Sequence, residues 1–309
     1  MRVLITGVHG FVGSNLVEYL KAENEIYGLD IVNSEKTGVV KTFSWDDLNA
    51  GVIPMMDAII HLAGKAHDTK NKSAAEVYFK VNTGLTQKIF DYFLASGAKK
   101  FVFFSTAKAA ADRVEGVLTE DVVPSPVGPY GESKIKAEEY IFSKELPAGK
   151  QVYIFRPCMI HGPGNKGNLN LLYSVVRKGI PWPLGAFENR RTFTSVENIC
   201  FAVNGVLTKD VSSGIYNMGD DEALSTNELI EEICKSLGKK AHIWRLPKGL
   251  MIGIAKVGGW LHLPLNPDRL QKLTENYVSS NAKIKAALGV DRMPVDAREG
   301  LQRTLESFR

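Results

Sequence analysis

Val3-Leu4-Ile5-Thr6-Gly7-Val8-His9-Gly10-Phe11-Val12-Gly13 joins three unlike segments at the start of the chain. Val3, Leu4 and Ile5 form a short apolar run suited to a buried strand, and residues 14–21 place Leu16, Val17 and Leu20 at helical spacing. Between them stand three glycines, each three residues from the next. Strand, glycine-rich turn and helix in this register form the setting in which a dinucleotide pyrophosphate is bound. Gly7 permits the tight turn, Gly10 lets backbone approach the phosphates, and Gly13 allows close helix packing. Phe11 and Val12 complete the expected cofactor set at the helix start, where unpaired N–H groups and the positive dipole end favour an anion.

A second strand is expected over 25–29, ending at Asp30. An acidic side chain there accepts both ribose hydroxyls of NAD and repels the extra phosphate of NADP. No arginine follows closely, so the expected cofactor is NAD. Downstream, apolar runs at 58–62, 100–105 and 151–155 read as strands, and 83–96 and 130–145 as helices. This alternation is the sequence form of an α/β fold with a doubly wound, Rossmann-type parallel sheet. Beyond Arg156-Pro157 the character changes. Residues 161–190 are rich in Gly, Asn and Pro, and Ser225-Thr226-Asn227-Glu228 is a capping box that starts a helix. The expected division is a NAD-binding domain over 1–160, regaining part of 192–215, and a smaller, mainly substrate-binding lobe over 161–309.

Tyr130 and Lys134 stand four apart on a predicted helix, one above the other on one face. A tyrosine hydroxyl normally titrates near ~10, and a neighbouring ammonium favours the phenolate. The pair suits proton exchange with an alcohol hydroxyl while hydride moves at its carbon.

Composition narrows the function class. With 309 residues and 44% hydrophobic content the chain has ample core-forming material. A net charge of +4, with Lys and Arg scattered among acids, argues against nucleic acid. The N-terminus reads as a buried strand rather than a signal peptide. Cys158, Cys200 and Cys234 are far apart, as expected of buried free thiols in a reducing cytoplasm. Six histidines show no metal-binding spacing, so no metal is expected. The most apolar stretch, 246–265, is interrupted by Lys248, Lys256 and prolines, which argues against a membrane span. A buried helix is the expectation there, with contact to a membrane or partner protein the other reading.

Thr6-Gly-x-x-Gly-x-x-Gly13, His61-Leu62-Ala63-Gly64, Asn82, Phe104-Ser105-Thr106, Tyr130-x-x-x-Lys134 and Arg156-Pro-x-x-x-x-Gly-Pro163 stand in one order along the chain. In this the chain resembles the extended short-chain dehydrogenases/reductases, and more narrowly their nucleotide-sugar epimerase/dehydratase branch. The resemblance implies that Thr106, Tyr130 and Lys134 are catalytic. Tyr130 would be the acid/base, with Lys134 holding the nicotinamide ribose. It implies that Leu62, Ala63, Gly64 and Asn82 line the cofactor, Asn82 by fixing a turn or a relay water. It further implies that Asn168, Leu169 and Arg191 contact a nucleoside diphosphate, with Arg269 a second phosphate candidate and Arg190 a solvated neighbour. A homodimer is expected from the resemblance and from Ile89, Phe90, Phe93, Ile135, Tyr140 and Ile141, whose apolar surface could serve symmetry mates or the monomer core.

Three departures from the family pattern shape the expected activity. Dehydratases carry Asp-Glu after the threonine, where this chain has Ala107-Lys108, so elimination of water lacks its acid/base pair. Ala110-Ala111 replaces a Tyr-Gly, and Met159-Ile160 stands where many epimerases have asparagine. The resemblance therefore implies an NAD-dependent 4-epimerase of a UDP-hexose or UDP-N-acetylhexosamine, working through a transient 4-keto sugar. Residues 183–191 resemble the substrate loop of NADH-dependent 4-ketoreductases of UDP-4-keto-6-deoxy-N-acetylhexosamines, the alternative. A non-catalytic NAD-binding protein is a third reading, since fold does not fix function.

Overall fold

The computed structural model describes residues 1–65, 74–165, 167–261 and 265–309. Within them seven strands form one parallel sheet, in the spatial order Gly214–Met218, Gln151–Pro157, Lys100–Phe104, Ala58–His61, Arg2–Thr6, Glu25–Leu29 and Lys41–Phe43. Both faces are covered, so the strand interiors are mostly apolar and the pleat divides them between two cores. Val3 and Ile5, Ala58 and Ile60, Val102 and Phe104, and Tyr153 and Phe155 face one core. Leu4, Ile59, Phe101 and Phe103, and Val152 and Ile154 face the other. Helices Phe11–Leu20 and Val196–Thr208 cover the first face, and Gly84–Ala95 and Pro129–Phe142 the second.

Strand order reverses at Arg2–Thr6, which is flanked by the second strand on one side and by Ala58–His61 on the other. In such sheets the crevice at the carboxyl ends of these strands takes the ligand. The Rossmann-type sheet expected from the sequence is therefore the fold of the chain.

A further core gathers Leu169, Tyr173, Trp182, Leu184, Leu229, Ile233, Leu270 and Leu301 from the second half. The helix Thr226–Ser236 starts on the anticipated capping box, with the Ser225 and Glu228 side chains and backbones bonded reciprocally. The chain beyond residue 220 does not stay in this core: Ile284, Leu288 and Met293 return to pack under the main sheet.

One expectation is corrected by burial. Ile89, Phe90, Phe93 and Ile141 are 0–4% exposed, pressed between their helices and the sheet. They fill the monomer core, so they supply no surface to a second copy. Ile135 and Tyr140 remain half-buried.

Candidate functional site

The glycine turn is built as its spacing requires. Gly7 has φ +71°, and its N–H donates to the Leu29 carbonyl at 2.9 Å, locking the turn to the second strand. A Cβ at Gly13 would lie 2.4 Å from the Gly7 oxygen, so only glycine lets the helix come this close. Gly10 caps that helix without any side-chain hydrogen bond. The first-turn N–H groups thus have no side-chain cap and are suited to phosphate. Asp30 is held by backbone N–H donors from His9 at 3.0 Å, Ile31 at 2.7 Å and Val32 at 3.3 Å. Its carboxylate is thereby fixed at the strand end, half-buried, with acceptor capacity left for ribose hydroxyls. These features fit an adenine dinucleotide.

Across the switch point, Thr6 Oγ accepts the N–H groups of Leu62 at 3.2 Å and Ala63 at 2.9 Å. Its own proton is therefore directed to His61 Nδ1, 2.7 Å away. His61 Nε2–H in turn donates to Thr86 Oγ at 2.9 Å, and Thr86 to the Asn82 carbonyl at 2.6 Å. Burial pushes the imidazole pKa well below its usual value, with the Lys134 charge adding to the effect, so the ring is neutral and the relay has one direction. Spacing did not reveal this clamp, because its members come from three separate elements.

Asn82 is wholly buried. Its Oδ1 accepts the Lys65 N–H at 2.7 Å, and its Nδ2 donates to the Lys65 carbonyl at 3.2 Å and to Ser133 Oγ at 2.9 Å. It pins the turn after the fourth strand to the tyrosine helix. A Cβ on Gly64 would meet Asn82 Oδ1 at 3.0 Å and Lys134 Nζ at 3.2 Å, so Leu62-Ala63-Gly64 passes directly beside the lysine.

Thr106, Tyr130 and Lys134 converge at this end of the sheet. Thr106 caps the short helix Ala107–Ala110 by accepting the Lys108 N–H at 3.3 Å, and its side chain lies close enough to the Tyr130 hydroxyl to favour the phenolate. Gly131 lets the two segments touch, since a Cβ there would lie 2.6 Å from the Lys108 carbonyl. Tyr78 packs edge-on against the Tyr130 ring, 6.2 Å between centroids. Lys134 is buried, donates to the Phe104 carbonyl at 2.8 Å, and lies 4.9 Å from the Phe103 ring centre.

The electrostatics differ from the sequence expectation. Burial raises the Tyr130 pKa, while the nearby Thr106 hydroxyl opposes it and Tyr78 adds an upward push; Lys134 is not among the causes. Burial brings Lys134 itself down to about 8, with Glu138 acting the other way. Desolvation outweighs the ammonium's pull because the lysine is drawn toward a backbone carbonyl. Behind it lies an ion pair that sequence reasoning missed. Glu138, at helical spacing from Lys134, receives Arg156 Nε at 3.0 Å and Nη2 at 2.5 Å and also the Ser105 hydroxyl, all fully or nearly buried. The four-residue step from Lys134 to Glu138 was its available signal.

The second-lobe candidates are less gathered. Leu169 is 2% exposed and its side chain fills the lobe core, which leaves its backbone as the part that could meet substrate. Asn168 is exposed at the start of the helix Asn168–Arg177, and Arg269 is exposed on Pro267–Thr274. Arg191 Nη1 donates to the Lys272 carbonyl, and the Arg191 backbone bridges Leu224 and Tyr277. The Tyr277 hydroxyl donates to the Ala111 carbonyl at 2.8 Å, which ties Arg191 to the threonine segment. Arg190 is ion-paired with Glu228 at 2.7 Å rather than simply solvated.

A strand-order switch point with a glycine turn, an aspartate fixed at the end of the second strand and a Thr–Tyr–Lys constellation defines a dinucleotide-dependent enzyme. The chain belongs to the NAD dependent epimerase/dehydratase family, whose model matches residues 3–219. It is 30% identical to the UDP-glucose 4-epimerase of Vibrio cholerae over 324 residues, 99% of this chain and 95% of that protein. It is 28% identical over 326 residues to an N-acetyl-alpha-D-glucosaminyl-diphospho-ditrans,octacis-undecaprenol 4-epimerase of Escherichia coli O157:H7, covering 99% and 94%. Among solved structures, the UDP-glucose 4-epimerase of Thermus thermophilus in complex with NAD superposes with a TM-score of 0.77 at 24% identity, covering 100% and 99% of the two chains. The protein is an NAD-dependent enzyme acting on nucleotide sugars.

Proposed function

We propose that the enzyme is a nucleotide-sugar 4-epimerase using a transient 4-keto sugar, with a UDP-hexose or UDP-N-acetylhexosamine as substrate. The observation that carries this reading is the convergence of Thr106 and Tyr130 beside buried Lys134 at the switch point. NAD supplies the hydride acceptor and donor. Tyr130 takes the proton of the C4 hydroxyl and returns it, while Thr106 donates to the same oxygen. Because Thr106 Oγ already accepts the Lys108 N–H, its own proton is free to point at that oxygen. Lys134 reaches the nicotinamide ribose and adds positive charge beside the phenol. Asp30 takes the adenosine ribose.

Dehydration is disfavoured because Ala107 and Lys108 stand where dehydratases carry two carboxylates. The relatives' names share a sugar on a diphosphate, a group that the planar fork of Arg191 suits. Asn168 and Arg269 are the proposed outer contacts. The proposed assembly is a homodimer through the exposed sides of Gly84–Ala95 and Pro129–Phe142, where Phe142 is 57% exposed. Incubation with a panel of UDP-sugars and their 4-keto-6-deoxy derivatives, followed by product NMR and NADH absorbance, tests the reading. Interconversion of C4 epimers with no net change in NADH is expected. Stoichiometric NADH consumption with a keto-sugar alone would replace it by the 4-ketoreductase, and no turnover with any sugar by a non-catalytic role.

A further inference from the structure

The helix Lys248–Trp260 is apolar on more than one side. Met251, Ala255 and Gly258, at positions i, i+4 and i+7, bury one face in the second-lobe core. Leu250, Ile254, Val257 and Leu261 follow the same spacing a quarter-turn away and are 45–54% exposed, while Trp260 is 81% exposed. Just upstream, Trp244 is 54% exposed on a segment strapped to the proposed substrate loop: its N–H donates to the Trp182 carbonyl at 2.8 Å, and Gly185 N–H donates to the Trp244 carbonyl at 3.0 Å. Among the described residues no helix is long and apolar enough to cross a membrane. A single exposed hydrophobe needs no explanation, but a continuous stripe with two exposed tryptophans does.

Charge tells what the stripe faces. From residue 236 to 267 the sequence has Lys239, Lys240, Arg245, Lys248 and Lys256 and not one Asp or Glu. The whole chain is nearly balanced, at 38 basic to 34 acidic residues, so this one-sided run is local. A second copy paired face to face would oppose these cations with themselves, which disfavours that occupant. An anionic surface is complementary, and tryptophan with aliphatic side chains in a run that carries only basic charge is the make-up of a helix lying in a headgroup layer.

We propose that the outer face of Lys248–Trp260, with Trp244, docks the enzyme on an anionic phospholipid bilayer. The inference does not rest on the proposed sugar chemistry, because its test is binding alone. The full chain is sedimented with vesicles of mixed phosphatidylglycerol and phosphatidylcholine, and with phosphatidylcholine alone. Binding to the anionic vesicles that weakens with salt is expected. The exposed double change Val257→Ser with Trp260→Ser should lower it about tenfold or more. Lys256→Gln should lower it by about fivefold, the typical effect of one cation near an anionic surface. Circular dichroism of each variant confirms that the fold is kept. Absence of binding to anionic vesicles would overturn the proposal. So would a Val257→Ser, Trp260→Ser change that leaves vesicle binding intact or that converts a dimer to a monomer by light scattering, the latter assigning the face to a second copy.

Discussion

Around Thr106, Tyr130 and Lys134 the polar side chains are buried and held by other parts of the protein, whereas Asn168, Arg190 and Arg269 stand on the surface of the second lobe. Asn82 spans two elements, Glu138 holds Arg156 and Ser105, and Lys134 holds a carbonyl. In low dielectric an unmet polar group is costly, so such a network has one arrangement and keeps reacting atoms in place. At the surface water can replace a lost partner, so side chains there are exchanged at less cost in stability. On the proposed assignment the two regions are separable: the buried end would set the reaction, and the exposed set would contribute to holding the nucleotide part of the substrate.

Tyr130→Phe is the strongest attempt to break that separation. It removes the acid/base group and leaves the ring against Tyr78. Acid/base catalysis is typically worth ~10²–10⁴-fold, so kcat should fall by that much with NAD affinity little changed. A kcat within twofold of the parent on the true substrate would refute the tyrosine's role and the meaning given to the buried end.

Lys134 should show that this end is held at a cost. Its folded pKa of about 8 lies below the 10.5 of a free lysine, so between these values the unfolded chain retains a proton that the folded chain has lost. Stability then rises with pH through that window, and the penalty is complete below about pH 8. By linkage the penalty is roughly 2–4 kcal/mol, at about 1.4 per pKa unit. Lys134→Met should abolish the rise and be at least as stable as the parent at neutral pH, while losing activity. Urea midpoints of both proteins across this range are the check, and parallel profiles would exclude a strained ammonium.

The same contrast explains what could be read from sequence. The glycine turn, Asp30 and the Tyr130–Lys134 step are local patterns whose meaning follows from helix and strand geometry over a few residues, and the strand–helix alternation carried the parallel sheet with it. The clamp from Thr6 through His61 to Thr86 and the Glu138–Arg156 pair join residues from different elements, and beyond the Lys134–Glu138 step no periodicity announces them. Leu169 matched a family position but its apolar side chain had a core to fill. Arg191 meets its carbonyl partner 81 residues away, a contact set only by the folded lobe. The dimer argument from Ile89, Phe90 and Phe93 failed for a related reason: a helix covering a sheet face rich in phenylalanine needs a wider apolar face than an average surface helix, as the Phe90, Phe93 and Phe101 cluster shows.

Cofactor choice sharpens the comparison at intermediate size. Asp30 is positioned by three backbone N–H groups, so its geometry is as fixed as that of the catalytic residues although it is only half-buried. Asp30→Ala should weaken NAD binding by about 1–3 kcal/mol, the range for hydrogen bonds to a charged group, with kcat at saturating NAD nearly unchanged. Tighter binding of NADP than of NAD by the parent protein, in a direct titration, would refute the assignment.

The smallest effect is expected at Arg269, and it is the finest probe of the exposed set. The residue lies in the first turn of Pro267–Thr274, where its own N–H is already used by the Asn266 cap, so the backbone there is fixed without its side chain. An exposed cation near a phosphate in water contributes little, because high dielectric and salt screen it. Arg269→Ala should therefore raise KM for the nucleotide sugar by less than about fivefold, under ~1 kcal/mol, with kcat and stability unchanged. Arg191→Ala should raise KM by more, since Arg191 is half-buried and pinned by Lys272 beside the threonine segment. Steady-state kinetics of the two variants at low and moderate salt separate the cases. If Arg269→Ala lowers kcat, or exceeds Arg191→Ala in KM, the exposed set takes part in positioning the reacting sugar and the division between chemistry and choice fails.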